Sequence, residues 1–142
     1  MQTYRRYKDT TQDAFTFIEI IVALAILGLL AAVGIPTYMG FVERGRVRSA
    51  EAAIQNMKTA ILQFNLEVGG YPRTLRELEV RPTDERGKKW RGPYIQEMPE
   101  NDGWGNPYVY RPTQGQKNPY ELYSTGAQGS EGTKEDRIGV YN

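Results

Sequence analysis

The chain has 142 residues, room for one membrane segment and a small domain of about 100 residues. Its 18 Lys and Arg against 17 Asp and Glu leave a net charge of +1 with no basic stripe, which argues against a nucleic-acid partner. Cysteine and histidine are absent, which excludes disulfides, thiolate zinc sites and Ser-His, Cys-His or HExxH catalysis, and leaves enzymatic function unsupported.

A polar segment, residues 1–14, carries Arg5, Arg6 and Lys8 together with Asp9 and Asp13. Residues 15–35, FTFIEIIVALAILGLLAAVGI, are then almost wholly apolar. As a helix these 21 residues rise ~30 Å, the thickness of a bilayer's hydrocarbon core. The run is too long for a signal-peptide core, and no A-x-A site ends it before Pro36, so a simple signal anchor is the plain reading. Three cations precede the run and three follow it (Arg44, Arg46, Arg48), a tie that leaves orientation open. The single acid, Glu19, is costly in such a setting and asks for a partner, or snorkels to the headgroups.

Beyond Pro36 an apolar stripe recurs at Val47, Ala50, Ile54, Met57, Ile61, Phe64 and Val68, one face of a helix. The two parts predict one helix of roughly 50 residues, with a kink or local melting at Pro36, whose missing N–H leaves the Ala32 carbonyl unpaired. The stripe is expected to pack on the chain's own C-terminal domain in preference to a coiled coil. Gly69, Gly70 and Pro72 end it.

Leu75, Leu78 and Val80 predict a short helical turn. Pro93, Pro99, Gly103, Gly105 and Pro107 mark a loop-rich middle. Its aromatic residues, Trp90, Tyr94, Trp104, Tyr108 and Tyr110, either build the core or stack on a sugar or peptide; the core reading is preferred. Glu100 and Asp102 read as solvated turn residues rather than glycosidase carboxylates. Strands are predicted at 108–111, 120–124 and 137–141, the last two separated by the Gly-rich loop GAQGSEGTKED. The expected fold class is α+β: a long N-terminal helix against a small three-stranded antiparallel sheet.

The segment AFTFIEIIVALAILGLLAAVGIPTY resembles the N-terminus of type IV pilins and type II secretion pseudopilins. With GGYP at 69–72, WRGPYI at 90–95, DGWGNPYVYR at 102–111 and YELYSTGAQG at 120–129, the resemblance narrows to the major pseudopilins of type II secretion. It implies a pilin-like fold in three parts: a cleaved cytoplasmic leader (1–14), a membrane and filament-core helix (15–36) and a periplasmic domain (37–142).

It also implies processing by a prepilin peptidase between Ala14 and Phe15, with methylation of the new N-terminus; Ala14 stands where the family usually has Gly. The freed Phe15 amine supplies a partner for Glu19, within one helix at i, i+4 or, as the family precedent favours, on a neighbouring subunit, setting filament register. Pro36 is implied as a point where the helix adapts in the filament, or simply as the end of the membrane segment. A calcium ion is implied in the Gly-rich loop, held by the Thr125 carbonyl and the side chains of Gln128, Glu135 and Asp136. The family commonly has Asp where Gln128 stands, so affinity is expected to be weaker, and the plain alternative is a solvated loop. Implied partners are further copies in a helical filament, minor pseudopilins, and an inner-membrane platform driven by a cytoplasmic ATPase. The resulting function is a periplasmic pseudopilus for protein export, the alternatives being a surface pilin or an anchored periplasmic binding protein.

Overall fold

A computed structural model describes residues 15–113 and 116–140. The chain divides into two compact units, Met1–Gly40 and Phe41–Asn142. Residues 1–14, with Ala14, and Tyr141 of the third predicted strand lie outside the described residues.

Helix α1 runs Phe17–Val68, 52 residues, close to the predicted length. It is helical through Pro36, so the melting expected there does not occur. A proline deprives only one carbonyl of its donor, and the Thr37 hydroxyl donates to the Val33 carbonyl at 2.9 Å in the same turn. At the C-terminal end Gly69 takes φ +86° and donates its N–H to the Asn65 carbonyl at 2.9 Å, the left-handed cap that only glycine adopts cheaply.

In the first unit the apolar side chains of α1 face outward; Phe17, Ile18, Leu24, Leu27, Leu29, Leu30 and Val33 are each more than half exposed. In the second unit the stripe turns inward. Ala50, Ile54, Met57, Ile61, Phe64 and Val68 are buried, joined by Ala60, while Val47 is half-buried. From Ile54 to Val68 they pack with Leu78, Trp90 and Leu122 in one core. The stripe thus meets its own domain, as its period predicts.

Three strands form an antiparallel sheet in the order β1–β2–β3: β1 Val109–Pro112, β2 Tyr120–Ser124, β3 Ile138–Val140. Val109 pairs with Tyr123 and Pro112 with Tyr120; Leu122 pairs with Val140 and Ser124 with Ile138. Only the central strand is deeply buried, at Leu122, Tyr123 and Ser124. The turn predicted around Leu75 is the 3-10 helix Leu75–Leu78.

Trp90 is in the core and gives its indole N–H to the Glu77 carbonyl at 2.9 Å. Tyr94 stands edge-on to both Phe64 and Trp90, with ring centroids 5.7 Å apart in each pair. Tyr110 donates its hydroxyl to the Pro72 carbonyl at 2.7 Å. These rings are occupied by packing, which leaves little stacking surface for a sugar. Trp104 departs from the expectation: outside the core cluster, it donates its indole N–H to Glu43 at 3.1 Å.

Candidate functional site

Two places carry the residues singled out by sequence: the start of α1 and the loop between β2 and β3. At the first, Thr16 and Glu19 form a reciprocal cap. The Glu19 N–H donates to Thr16 Oγ1 at 3.3 Å, while Glu19 Oε2 accepts the Thr16 N–H at 3.3 Å and its hydroxyl at 3.4 Å. This is a Thr-x-x-Glu capping box, a signal written in the local sequence that the charge of Glu19 alone does not reveal. Phe15 precedes the cap and lies outside the helix, 77% exposed. The cap uses Oε2; among the described residues no hydrogen bond reaches Oε1.

The helix that follows is long and apolar enough to cross a membrane, and none of its apolar window is buried within the chain. Transfer of a dozen such Leu, Ile, Val and Phe side chains out of water is worth about 20 kcal/mol or more, so this surface needs lipid or other copies around it. Pro36 lies inside α1, next to Ile35, which is 60% exposed.

The loop after β2 holds 3-10 turns over Gly126–Glu131, kinked at Gly129 (φ 59°, ψ −141°), and over Lys134–Asp136. Thr125 precedes the first turn and is half-buried. Gly126, at φ +65°, sits so close to the Asp136 carbonyl that a Cβ would lie 2.8 Å from it. A Cβ at Gly132 would meet Gln128 Cβ at 2.9 Å and Asp136 Oδ2 at 3.4 Å. The loop therefore closes on itself and brings Thr125, Gln128 and Asp136 into one neighbourhood. Glu135 is exposed on the second turn. The Asp136 carboxylate is already engaged: Oδ2 accepts the Thr133 N–H at 2.8 Å and its hydroxyl at 2.9 Å. Among the described residues, no group of three or more acidic side chains gathers in one place.

A second carboxylate, Asp102, is not the solvated turn residue that its loop setting predicts. Asp102 is 8% exposed, whereas Glu100 is exposed as expected. Asp102 Oδ1 accepts the N–H groups of Trp104 at 3.0 Å and Asn106 at 2.8 Å. Its Oδ2 accepts the Ser124 hydroxyl at 2.5 Å, and Ser124 Oγ in turn accepts the Gly126 N–H at 3.0 Å. Asn106 Nδ2 donates to the Gly126 carbonyl at 2.9 Å. The DGWGN turn is thereby fastened to the end of β2 and to the start of the Gly-rich loop. The Asp-Gly-x-Gly-Asn spelling announces the turn; its burial comes from Ser124, far away in sequence.

Residues 37–142 match the family model described as type II secretion system protein G, and residues 10–35 match the prokaryotic N-terminal methylation motif. The chain is 37% identical over 136 residues to the type II secretion system core protein G of Pseudomonas aeruginosa, covering 92% of this chain and 94% of that protein. The Vibrio cholerae core protein G is 34% identical over 129 residues, covering 88% and 87%. Among solved structures, the major pseudopilin of the type 2 secretion system of enterohaemorrhagic Escherichia coli matches with a TM-score of 0.57 at 25% identity, over 70% of this chain and 90% of that one. With its capped apolar helix, antiparallel sheet and Gly-rich loop, this chain belongs to the type II secretion system protein G family of pseudopilins.

Proposed function

We propose that this protein is the major subunit of a periplasmic pseudopilus that drives export of folded proteins through the outer membrane. The observation that carries the reading is the outward-facing apolar surface of α1 between Phe17 and Ile35, interrupted by the single acid Glu19. Such a surface is stable in a bilayer as a single span and equally stable against identical helices in a filament core. The subunit is stored in the inner membrane with its C-terminal domain in the periplasm, then moved into the filament.

Cleavage between Ala14 and Phe15 by a prepilin peptidase gives each subunit a new amine next to the cap. In an apolar filament core that amine and a carboxylate attract strongly, and a mispaired charge is expensive. Glu19 Oε1, left open by the cap, accepts the Phe15 amine of a neighbouring copy and sets the axial register. The driving force comes from an inner-membrane platform and its cytoplasmic ATPase, and minor pseudopilins join the same filament; the chain's own part is structural rather than catalytic.

Mass spectrometry of the membrane-extracted protein tests this directly. The expected N-terminus is a methylated Phe15. Deletion of the gene is expected to abolish secretion of extracellular enzymes while leaving surface fibres intact. An unprocessed chain, or lost fibres with normal secretion, would overturn the reading.

A further inference from the structure

We infer that the C-terminal loop of this chain is locked by a buried hydrogen-bond network centred on Asp102, and that it closes without calcium. The donor set implied by family resemblance was Thr125, Gln128, Glu135 and Asp136. Calcium takes six to eight hard oxygens, and its affinity rises with the number of charged ligands. Here Gln128 is neutral. Asp136 Oδ2 already accepts two hydrogen bonds from Thr133. Glu135 and Asp136 are consecutive in a 3-10 turn, where successive side chains point about 120° apart, so they do not converge on one ion. These residues do not fit a firmly held calcium ion.

The loop has other fastenings at both ends. At its start, Ser124 Oγ accepts the Gly126 N–H and donates to Asp102, and Asn106 holds the Gly126 carbonyl. Asp102 is buried, so its hydrogen bonds form in a low-dielectric setting where charge-assisted bonds are strong and their loss is costly. At its end, the Thr133–Asp136 capping box closes the second turn. The Arg137 guanidinium then lies over the Tyr123 ring, 4.5 Å from its centroid. In a domain without disulfides, these contacts supply the clasp a bound ion supplies elsewhere.

The test is thermal unfolding of the full chain in detergent, read by tryptophan fluorescence, in millimolar calcium chloride and in chelator. The wild-type midpoint is expected to agree within about 2 °C between the two conditions. Ser124→Ala is expected to lower it by roughly 5–10 °C in both, since a lost charge-assisted bond shifts a domain of this size by that much. Should Ser124→Ala fail to fold, Asn106→Ala severs only the link to the Gly126 carbonyl and is expected to lower the midpoint by about 5 °C. A wild-type midpoint more than about 2 °C lower in chelator, or calcium restoring the Ser124→Ala or Asn106→Ala midpoint, overturns the inference. So does a foldable network variant as stable as wild type.

Discussion

Thr16 and Glu19 cap each other at the start of α1, so the one acid of the apolar segment has a local structural role as well as a charge. The two roles separate by substitution. Glu19→Gln keeps a group able to complete the capping box and removes the charge. It is expected to insert into the membrane normally, resist alkaline extraction, and yield no cross-linkable filament. Thr16→Ala removes the cap at a cost of about 1 kcal/mol of helix-end stability and is expected to assemble at reduced yield. Wild-type filament yield from Glu19→Gln rules out the charge as the register device.

The loop after α1 is held by Arg86, whose guanidinium donates to both oxygens of Glu77 at 2.7 Å and also to Asp84. Both partners of the main pair are largely covered, with 23% and 15% of their side-chain surface exposed, and the Arg86 pKa is pushed up, chiefly by Glu77. Breaking such a pair lies between the surface and fully buried cases. Glu77→Ala is expected to cost about 2 kcal/mol in chemical denaturation. The exposed Lys88–Glu85 pair is the control, and Glu85→Ala is expected to change stability by less than about 0.5 kcal/mol.

Phe64 and Leu62 sit two residues apart on α1 and face opposite ways: Phe64 is fully buried, Leu62 is 58% exposed. Phe64→Ala removes a ring that packs on Tyr94 and opens a cavity in the core, an expected loss of 3–5 kcal/mol. Leu62→Ala is expected to leave stability within about 0.5 kcal/mol of wild type. Equal losses from the two variants in urea unfolding would mean that the second face of α1 is also packed.

That contrast shows which parts of the molecule a sequence exposes. The period of 3 and 4 from Ala50 to Val68 names the buried face because helix geometry converts spacing directly into direction. The strands, flanked by Gly and Pro, are legible for a similar local reason. The Thr16–Glu19 cap is equally local, spelled by residues three apart. Asp102 and Trp104 are different. Their partners, Ser124 and Glu43, lie 22 and 61 residues away, and no local pattern carries that information. Gln128 and Asp136 are brought together by two turns around Gly132, a closure that composition suggests but does not specify.

Tyr110 gives the domain an alkaline limit. Burial pushes its phenol well above the ordinary value, with neighbouring Tyr120 adding to the effect, and burial likewise raises Tyr94, Tyr108 and Tyr120. Below pH about 10 the phenols are neutral in both folded and unfolded chains, and their contribution to stability is fully present. Above it the unfolded phenols ionise first, so stability falls as pH rises toward the folded values. Tyr110→Phe loses the hydroxyl's bond to the Pro72 carbonyl, an expected cost of about 1 kcal/mol at pH about 8. It also removes one of the ionising groups. The stability gap between wild type and Tyr110→Phe is therefore expected to narrow between pH about 8 and pH about 11 in urea titrations. A gap that stays constant or widens over that range would show that Tyr110 is not held neutral by burial.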